Sequence, residues 1–252
     1  MCTVVFLPKG DKYFFASLRD ESSLRPRAAV PTIYKQGEAV ILSPIDAQAG
    51  GTWLGVTASG SVIILLNGGF KKHERKANYR KSRGLIVADL LASYSPVIDW
   101  TLMDMQDVEP YTLVVWNEGS LFQLVWDGTH KHGVLLKSNQ PYIWSSATLY
   151  DYQARVYRSE LFEQWVGMNI PVSSLSLFNF FKSFTDRENG FLMNRNEQTK
   201  TLSYTFIELQ TDDSGEMQYH DFLNDSFHDR KIWFNNSLKN FIPAAGILQQ
   251  VL

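Results

Sequence analysis

Met1-Cys2-Thr3-Val4-Val5-Phe6-Leu7-Pro8-Lys9-Gly10-Asp11-Lys12-Tyr13-Phe14-Phe15-Ala16-Ser17-Leu18-Arg19-Asp20-Glu21 opens the chain, and its reading decides the fold. Two runs rich in β-branched and aromatic residues, Val4 to Leu7 and Tyr13 to Ala16, flank the turn formers Pro8-Lys9-Gly10-Asp11. That pattern predicts a β-hairpin, which would carry Arg19 and Asp20 back beside Cys2. Cys2 is the only cysteine in the sequence and becomes the N-terminal residue once Met1 is removed. A thiol there sits beside a free α-amine, whose pKa of roughly 7.7 to 8.0 makes it a usable base near neutral pH. One residue then supplies both nucleophile and proton acceptor. While Met1 remains, the Cys2 nitrogen is an amide and no base. Residue type alone leaves a second reading open, because a lone cysteine is more often a small buried hydrophobe.

Working outward, the 252 residues suffice for a substantial core, and the 44% hydrophobic and 20% charged composition is that of a globular protein. A net charge of −2 supplies no global basic field for nucleic acid. A single cysteine excludes an internal disulfide framework and suits a reducing compartment. Pro8 to Asp11 interrupts any signal-like apolar run, and no stretch approaches the roughly 18 apolar residues of a membrane span. The expectation is a cytoplasmic protein with no cofactor.

Residues 22–32, with Arg25, Pro26, Arg27 and Pro31, read as a loop, and Glu38 to Leu42 as a strand. A second hairpin spans Gly50 to Asn67 and turns near Ser59-Gly60. Its second arm, Val62 to Leu66, is apolar without a break, as expected of a strand covered on both faces, and ends at Asn67 beside Gly68-Gly69. An Asn there can donate into a site or merely cap the strand. Lys71 to Arg83 is the most basic run, read either as solvated surface or as a clamp for a phosphate, a carboxylate or the nucleotide end of a coenzyme A thioester. Ser82 is placed as the cap of a helix over Leu85 to Leu91.

Thr112 to Trp116, Leu121 to Trp126 and Gly133 to Leu136, separated by Asn117-Glu118-Gly119 and Asp127-Gly128-Thr129, predict an antiparallel meander that Tyr142 to Tyr150 closes. His130 and His132 lack a third ligand at diagnostic spacing and read as surface residues, so no metal site is expected. Ser145 and Ser146 could cap the strand or the following helix. Asp151 to Met168 has helical periodicity through Ala154, Tyr157, Leu161, Trp165 and Met168, with Arg155 and Arg158 near its polar side. A second helix covers Ser173 to Phe184. Asp186 to Thr201 reads as a lid or a plain surface loop, followed by strands at Leu202 to Leu209, Met217 to Phe222 and Ile232 to Phe234 and a terminal tail of about a dozen residues. Antiparallel hairpins with segregated helices define an α+β fold, and no linker divides residues 1–252, so a single domain is expected.

Met1 to Phe6 followed by Arg19-Asp20-Glu21-Ser22, together with Gly51-Thr52-Trp53-Leu54-Gly55-Val56 and Ser82-Arg83-Gly84, resembles the NRDE family, also called the transport-and-Golgi-organisation protein 2 family. The tetrad that names it is Asn-Arg-Asp-Glu, and here Leu18 stands in the first place. More loosely, the pattern is similar to the choloylglycine hydrolase and penicillin acylase class of N-terminal nucleophile (Ntn) hydrolases. The resemblance implies a four-layer αββα sandwich and an amidohydrolase or acyltransferase acting on a C–N amide or a thioester. It implies Cys2 as nucleophile, Arg19 lowering the thiol pKa, Asp20 orienting the α-amine, Asn67 holding the oxyanion and Glu21 securing Arg19. Ser145, Ser146, Trp53 and Arg83 follow as candidate substrate contacts. It also implies an alternative, a non-catalytic carrier for haem or acyl-CoA and lipid-type ligands. On either reading the partner is a small molecule.

Overall fold

A computed structural model describes residues 3–184, 186, 189–210 and 213–235. Cys2 and the terminal tail lie outside the described residues. The first hairpin forms as expected from β1 (Thr3–Lys9) and β2 (Lys12–Ser22), turning at Gly10. Its apolar runs are continuous because both faces are covered. Val4, Phe6 and Phe15 point into the core between the two sheets, and Val5, Leu7, Phe14, Ala16 and Leu18 point to a second core under helices. The same alternation sends Arg19 and Asp20 to opposite faces of the sheet.

The second sheet runs in chain order through β3 (Ala29–Gln36), β4 (Ala39–Ile45), β5 (Leu54–Thr57), β6 (Val62–Asn67), β7 (Tyr111–Asn117), β8 (Ser120–Trp126) and β9 (Lys131–Leu136). The hairpin and meander expected from the sequence are β5–β6 and β7–β9, joined by β6–β7 pairing. Strand β3 falls partly within the stretch read as a loop. It is an edge strand with one face in solvent, which accommodates Pro31 and hides the alternation. Between β6 and β7, α1 (Arg83–Leu91) and α2 (Pro96–Leu102) bury Ile86, Val87, Leu90, Leu91, Val97 and Trp100 on this sheet. Ser82 caps α1, its Oγ accepting from Leu85 N at 3.3 Å. Helix α2, only seven residues long, is too short to show a periodicity.

β10 (Tyr142–Ser145) does not close the meander. It crosses to the first sheet and pairs antiparallel with β1. The first sheet is completed by β11 (Asn194–Arg195), β12 (Thr199–Gln210), β13 (Ser214–Asp221) and β14 (Ser226–Trp233), in the order β10-β1-β2-β12-β13-β14 with β11 beside β12. The helices α3 (Tyr152–Gly167) and α4 (Ser174–Ser183) cover its outer face with Leu161, Phe162, Trp165, Leu177, Phe180 and Phe181. The buried face of α3 is offset from the expected stripe. Tyr157 and Met168 are exposed, and Arg158, Leu161, Phe162 and Trp165 are buried. The order of layers is α3/α4, first sheet, second sheet, α1/α2, the αββα sandwich.

The two motifs around Gly51 and Ser82 explain each other. A Cβ on Gly51 would lie 2.3 Å from the Gly84 carbonyl carbon, and Thr52 N donates to Gly84 O at 3.1 Å. The start of α1 is thus seated directly on the backbone ahead of β5. Gly51→Ala is expected to destabilise the protein by roughly 1 to 3 kcal/mol, since backbone rather than a mobile side chain must move. Urea unfolding of the variant checks this, and an unchanged midpoint would refute the contact.

Candidate active site

Thr3, the first described residue, is buried between Leu18 on β2 and Ser145 on β10. Leu18, standing where the tetrad has Asn, is fully buried among the aromatic residues under α3 and α4. The side chains gathered around this end of β1 come from four places in the chain. β2 supplies Arg19 and Asp20, β6 ends at Asn67, β10 ends at Ser145-Ser146, and α3 contributes Arg158.

Asp20 is buried on the helix-facing side, where Thr201 Oγ1 donates to Oδ1 at 2.5 Å and Tyr150 OH donates to Oδ2 at 3.2 Å. Arg19 is buried on the opposite side, its guanidinium 4.4 Å from the Trp53 ring centroid. Its ion pair is with Asp46 at 2.7 Å, not with the expected Glu21, which lies 3.9 Å from Arg25 and accepts from Ser22 N. Arg25 joins Arg19 on Asp46 and is no free loop charge. Asp46 accepts from Arg19 Nη2, Arg25 Nε and Nη2, Gln48 N and Ala49 N. Burial alone would raise its carboxyl. Hydrogen bonds from Arg25 and Ala49 and the charges of Arg25 and Arg19 outweigh that and hold it below its ordinary value.

Asn67 stands at the junction of two clefts. One, of about 310 Å³, is lined by Arg19, Trp53, Arg83 and Glu109; the other, of about 210 Å³, by Gly68, Trp144, Ser145, Ser146 and Arg155. The Asn67 side chain makes no hydrogen bond to a described residue, while its carbonyl accepts from Ser146 Oγ at 2.7 Å. Gly68, with φ of +86°, lets the turn press against Thr148; a Cβ there would fall 2.8 Å from Thr148 Cγ2. The buried Trp53 Nε1 likewise has no acceptor among the described residues. Arg83 donates to Pro110 O at 3.2 Å and pairs with Glu109 at 3.1 Å; burial lowers its guanidinium from the ordinary value against the pull of Glu109. Much of the basic run is already matched, with Lys76 on Asp107, Arg80 on Asp104 and Lys81 on Asp89. His132 pairs with Asp127 at 2.8 Å, and among the described residues no group of three His, Cys, Asp or Glu is placed to hold a metal.

Ser145 Oγ accepts from Arg158 Nε at 2.9 Å. Arg158 also donates to the carbonyls of Asn189 and Gly190 and to Thr3 Oγ1, between the rings of Tyr150 and Phe191. The stripe expected through Tyr157 and Met168 puts Arg158 near the polar side of α3, whereas its side chain is buried. The available signal was the spacing 158-161-162-165, which puts an arginine in phase with the buried stripe.

This sandwich resembles that of the N-terminal nucleophile hydrolases. A Caenorhabditis elegans N-acylethanolamine-hydrolysing acid amidase ortholog superposes with a TM-score of 0.56 at 12% identity, over 82% of this chain and 92% of the other. The C2A mutant of conjugated bile acid hydrolase from Clostridium perfringens does so with 0.56 at 9% identity, over 96% and 99%. The model of the family described as Transport and Golgi organisation 2 matches residues 1–229, and the chain belongs to that family. No curated protein sequence matches it. No described helix is long and apolar enough to cross a membrane.

The Asp46 cluster predicts an acid-labile contribution. Its folded pKa lies below the unfolded value, so the stabilisation is complete above about pH 4 and is lost as pH falls through the folded value. Asp46→Asn is expected to cost about 3 kcal/mol at neutral pH and to flatten the acid limb of the stability curve. Denaturant titrations across pH check both, and an acid limb as steep as that of the unaltered protein would contradict the assignment.

Proposed function

We propose that the protein is an Ntn-type cysteine amidohydrolase or acyltransferase, acting on a C–N amide or a thioester after Met1 removal. The observation that carries this is the position of Thr3. It fixes the strand carrying the N-terminal residue between β2 and β10, with Asp20, Asn67 and Ser146 gathered at that end. The fold supports it too, since the two similar structures reported above are named as hydrolysing enzymes.

In this reading the Cys2 sulfur attacks the substrate carbonyl carbon and the thiol proton passes to the α-amine. The Asn67 side-chain amide, which no described residue engages, donates to the oxyanion together with backbone N–H groups. Collapse of the intermediate breaks the C–N or C–S bond, and the ammonium returns its proton to the leaving group. Water then hydrolyses the acyl-thioester, or an acceptor nucleophile takes the acyl group. Asp20, fixed by Tyr150 and Thr201, holds and orients the α-amine. Arg19, Trp53 and Arg83 form one wall of the larger cleft and face the substrate. Ser145 and Ser146 face it from the smaller one, and Glu21 supports the site through Arg25.

Protein processed to Cys2 is to be screened against amides and thioesters, with Cys2→Ala and Asn67→Ala beside it. Turnover is expected to vanish in Cys2→Ala and to fall roughly 100-fold or more in Asn67→Ala, with binding retained. Turnover that survives Cys2→Ala would contradict Cys2 as the nucleophile, and saturable binding of haem or an acyl-CoA with no product would replace this reading by the carrier.

A further inference from the structure

The two clefts that meet at Asn67 differ in charge. In the larger, Arg19 and Arg25 share Asp46, and Arg83 and Arg75 lie 3.1 and 4.0 Å from Glu109. The smaller cleft, of about 210 Å³, has among the described residues one charged side chain in its lining, Arg155 on α3, and no carboxylate. Arg155 is half-buried and forms no ion pair with a described residue. Its Nε donates to Asp151 O at 3.4 Å, which leaves both Nη groups without a described acceptor. Other donors in the same lining are also uncommitted. Gln123 Oε1 accepts from Trp144 Nε1 at 2.7 Å, so the Gln123 amide keeps its two N–H donors, and the Ser159 hydroxyl engages no described residue. Phe70, Val125 and Ile143 add apolar wall, where a charge pair is screened less than in water.

We propose that the smaller cleft is a carboxylate subsite with Arg155 as its specificity-determining residue, so that the substrate carries a carboxylate on a short arm beside the scissile amide or thioester. This rests on the proposed reaction, in which Asn67, lining both clefts, holds the oxyanion at their junction. Three features select the ligand class. The surplus of donors and the lone cation call for an anion. A guanidinium fork meets the two oxygens of a carboxylate bidentately, and one cation balances its single charge, whereas a phosphate monoester of roughly −1.5 to −2 would stay undercompensated. The volume lies below the roughly 300 Å³ at which drug-sized pockets begin, which restricts the arm to a few atoms.

The probes are levulinate and 2-hexanone, methyl ketones of similar length of which only the first carries a carboxylate; neither has an amide or thioester to cleave. Dissociation constants are taken from backbone amide shifts of the folded protein. Levulinate is expected to bind about tenfold or more tightly than 2-hexanone and to shift Gly68, Gly69 and Ser146. Arg155→Gln is expected to bring the two affinities to within about twofold, and Arg75→Gln, which removes a guanidinium from the larger cleft, to leave their ratio unchanged. Both side chains reach solvent, so the variants are expected to fold, and their amide spectra verify it. Equal affinities in the unaltered protein, a preference that survives Arg155→Gln, or one lost in Arg75→Gln overturns the proposal. Because nothing is turned over, such a failure leaves Cys2 as nucleophile standing, and a failure of the Cys2→Ala test leaves this measurement intact.

Discussion

Everything at this site depends on β1 beginning inside a sheet rather than at its edge. Thr3 is paired on both sides, to Leu18 and to Ser145, so the first described residue has no freedom to fray. A chain terminus is ordinarily the most mobile part of a domain. Here backbone hydrogen bonds to two strands and buried side chains on both faces oppose that mobility. A nucleophile carried on a terminus needs this, because reaction requires the attacking atom within a fraction of an ångström of its working position.

The charges follow from the same strand alternation. Arg19 and Asp20 are sequence neighbours, yet the pleat sends one toward the second sheet and the other toward the helices. Arg19 therefore finds Asp46 and Trp53, and Asp20 finds Tyr150 and Thr201. Burial of each is compensated within its own layer, as the cost of an unpaired buried charge demands. Arg158 is compensated, among the described residues, by hydroxyl and carbonyl oxygens and by the ring faces of Tyr150 and Phe191.

Local pattern made much of the fold legible. The unbroken apolar runs at Val4 to Leu7 and Val62 to Leu66 indicated strands covered on both faces, and the turn residues located the hairpins and the meander. Pairing across long separations was not legible: nothing between Tyr142 and Ser145 says that this strand leaves the meander for β1. The edge strand β3 hid behind its polar face and Pro31, and α2 behind its length. Within the site, residue types and motif resemblance brought out Arg19, Asp20, Asn67, Trp53 and Arg83. The partners did not show, because Asp46 and Arg158 are isolated charges whose meaning comes from what faces them. Arg158 was obscured further by a stripe read one step out of phase, through Tyr157 rather than through Arg158.

The central claim is that residue 2 is a free N-terminal cysteine in the working protein. Intact mass of natively expressed protein, before and after treatment with a cyanobenzothiazole that condenses with 1,2-aminothiols, addresses it directly. The account predicts a mass lacking Met1 and the gain of a single adduct. A chain that keeps Met1 quantitatively, and takes up no adduct even when unfolded, would contradict it.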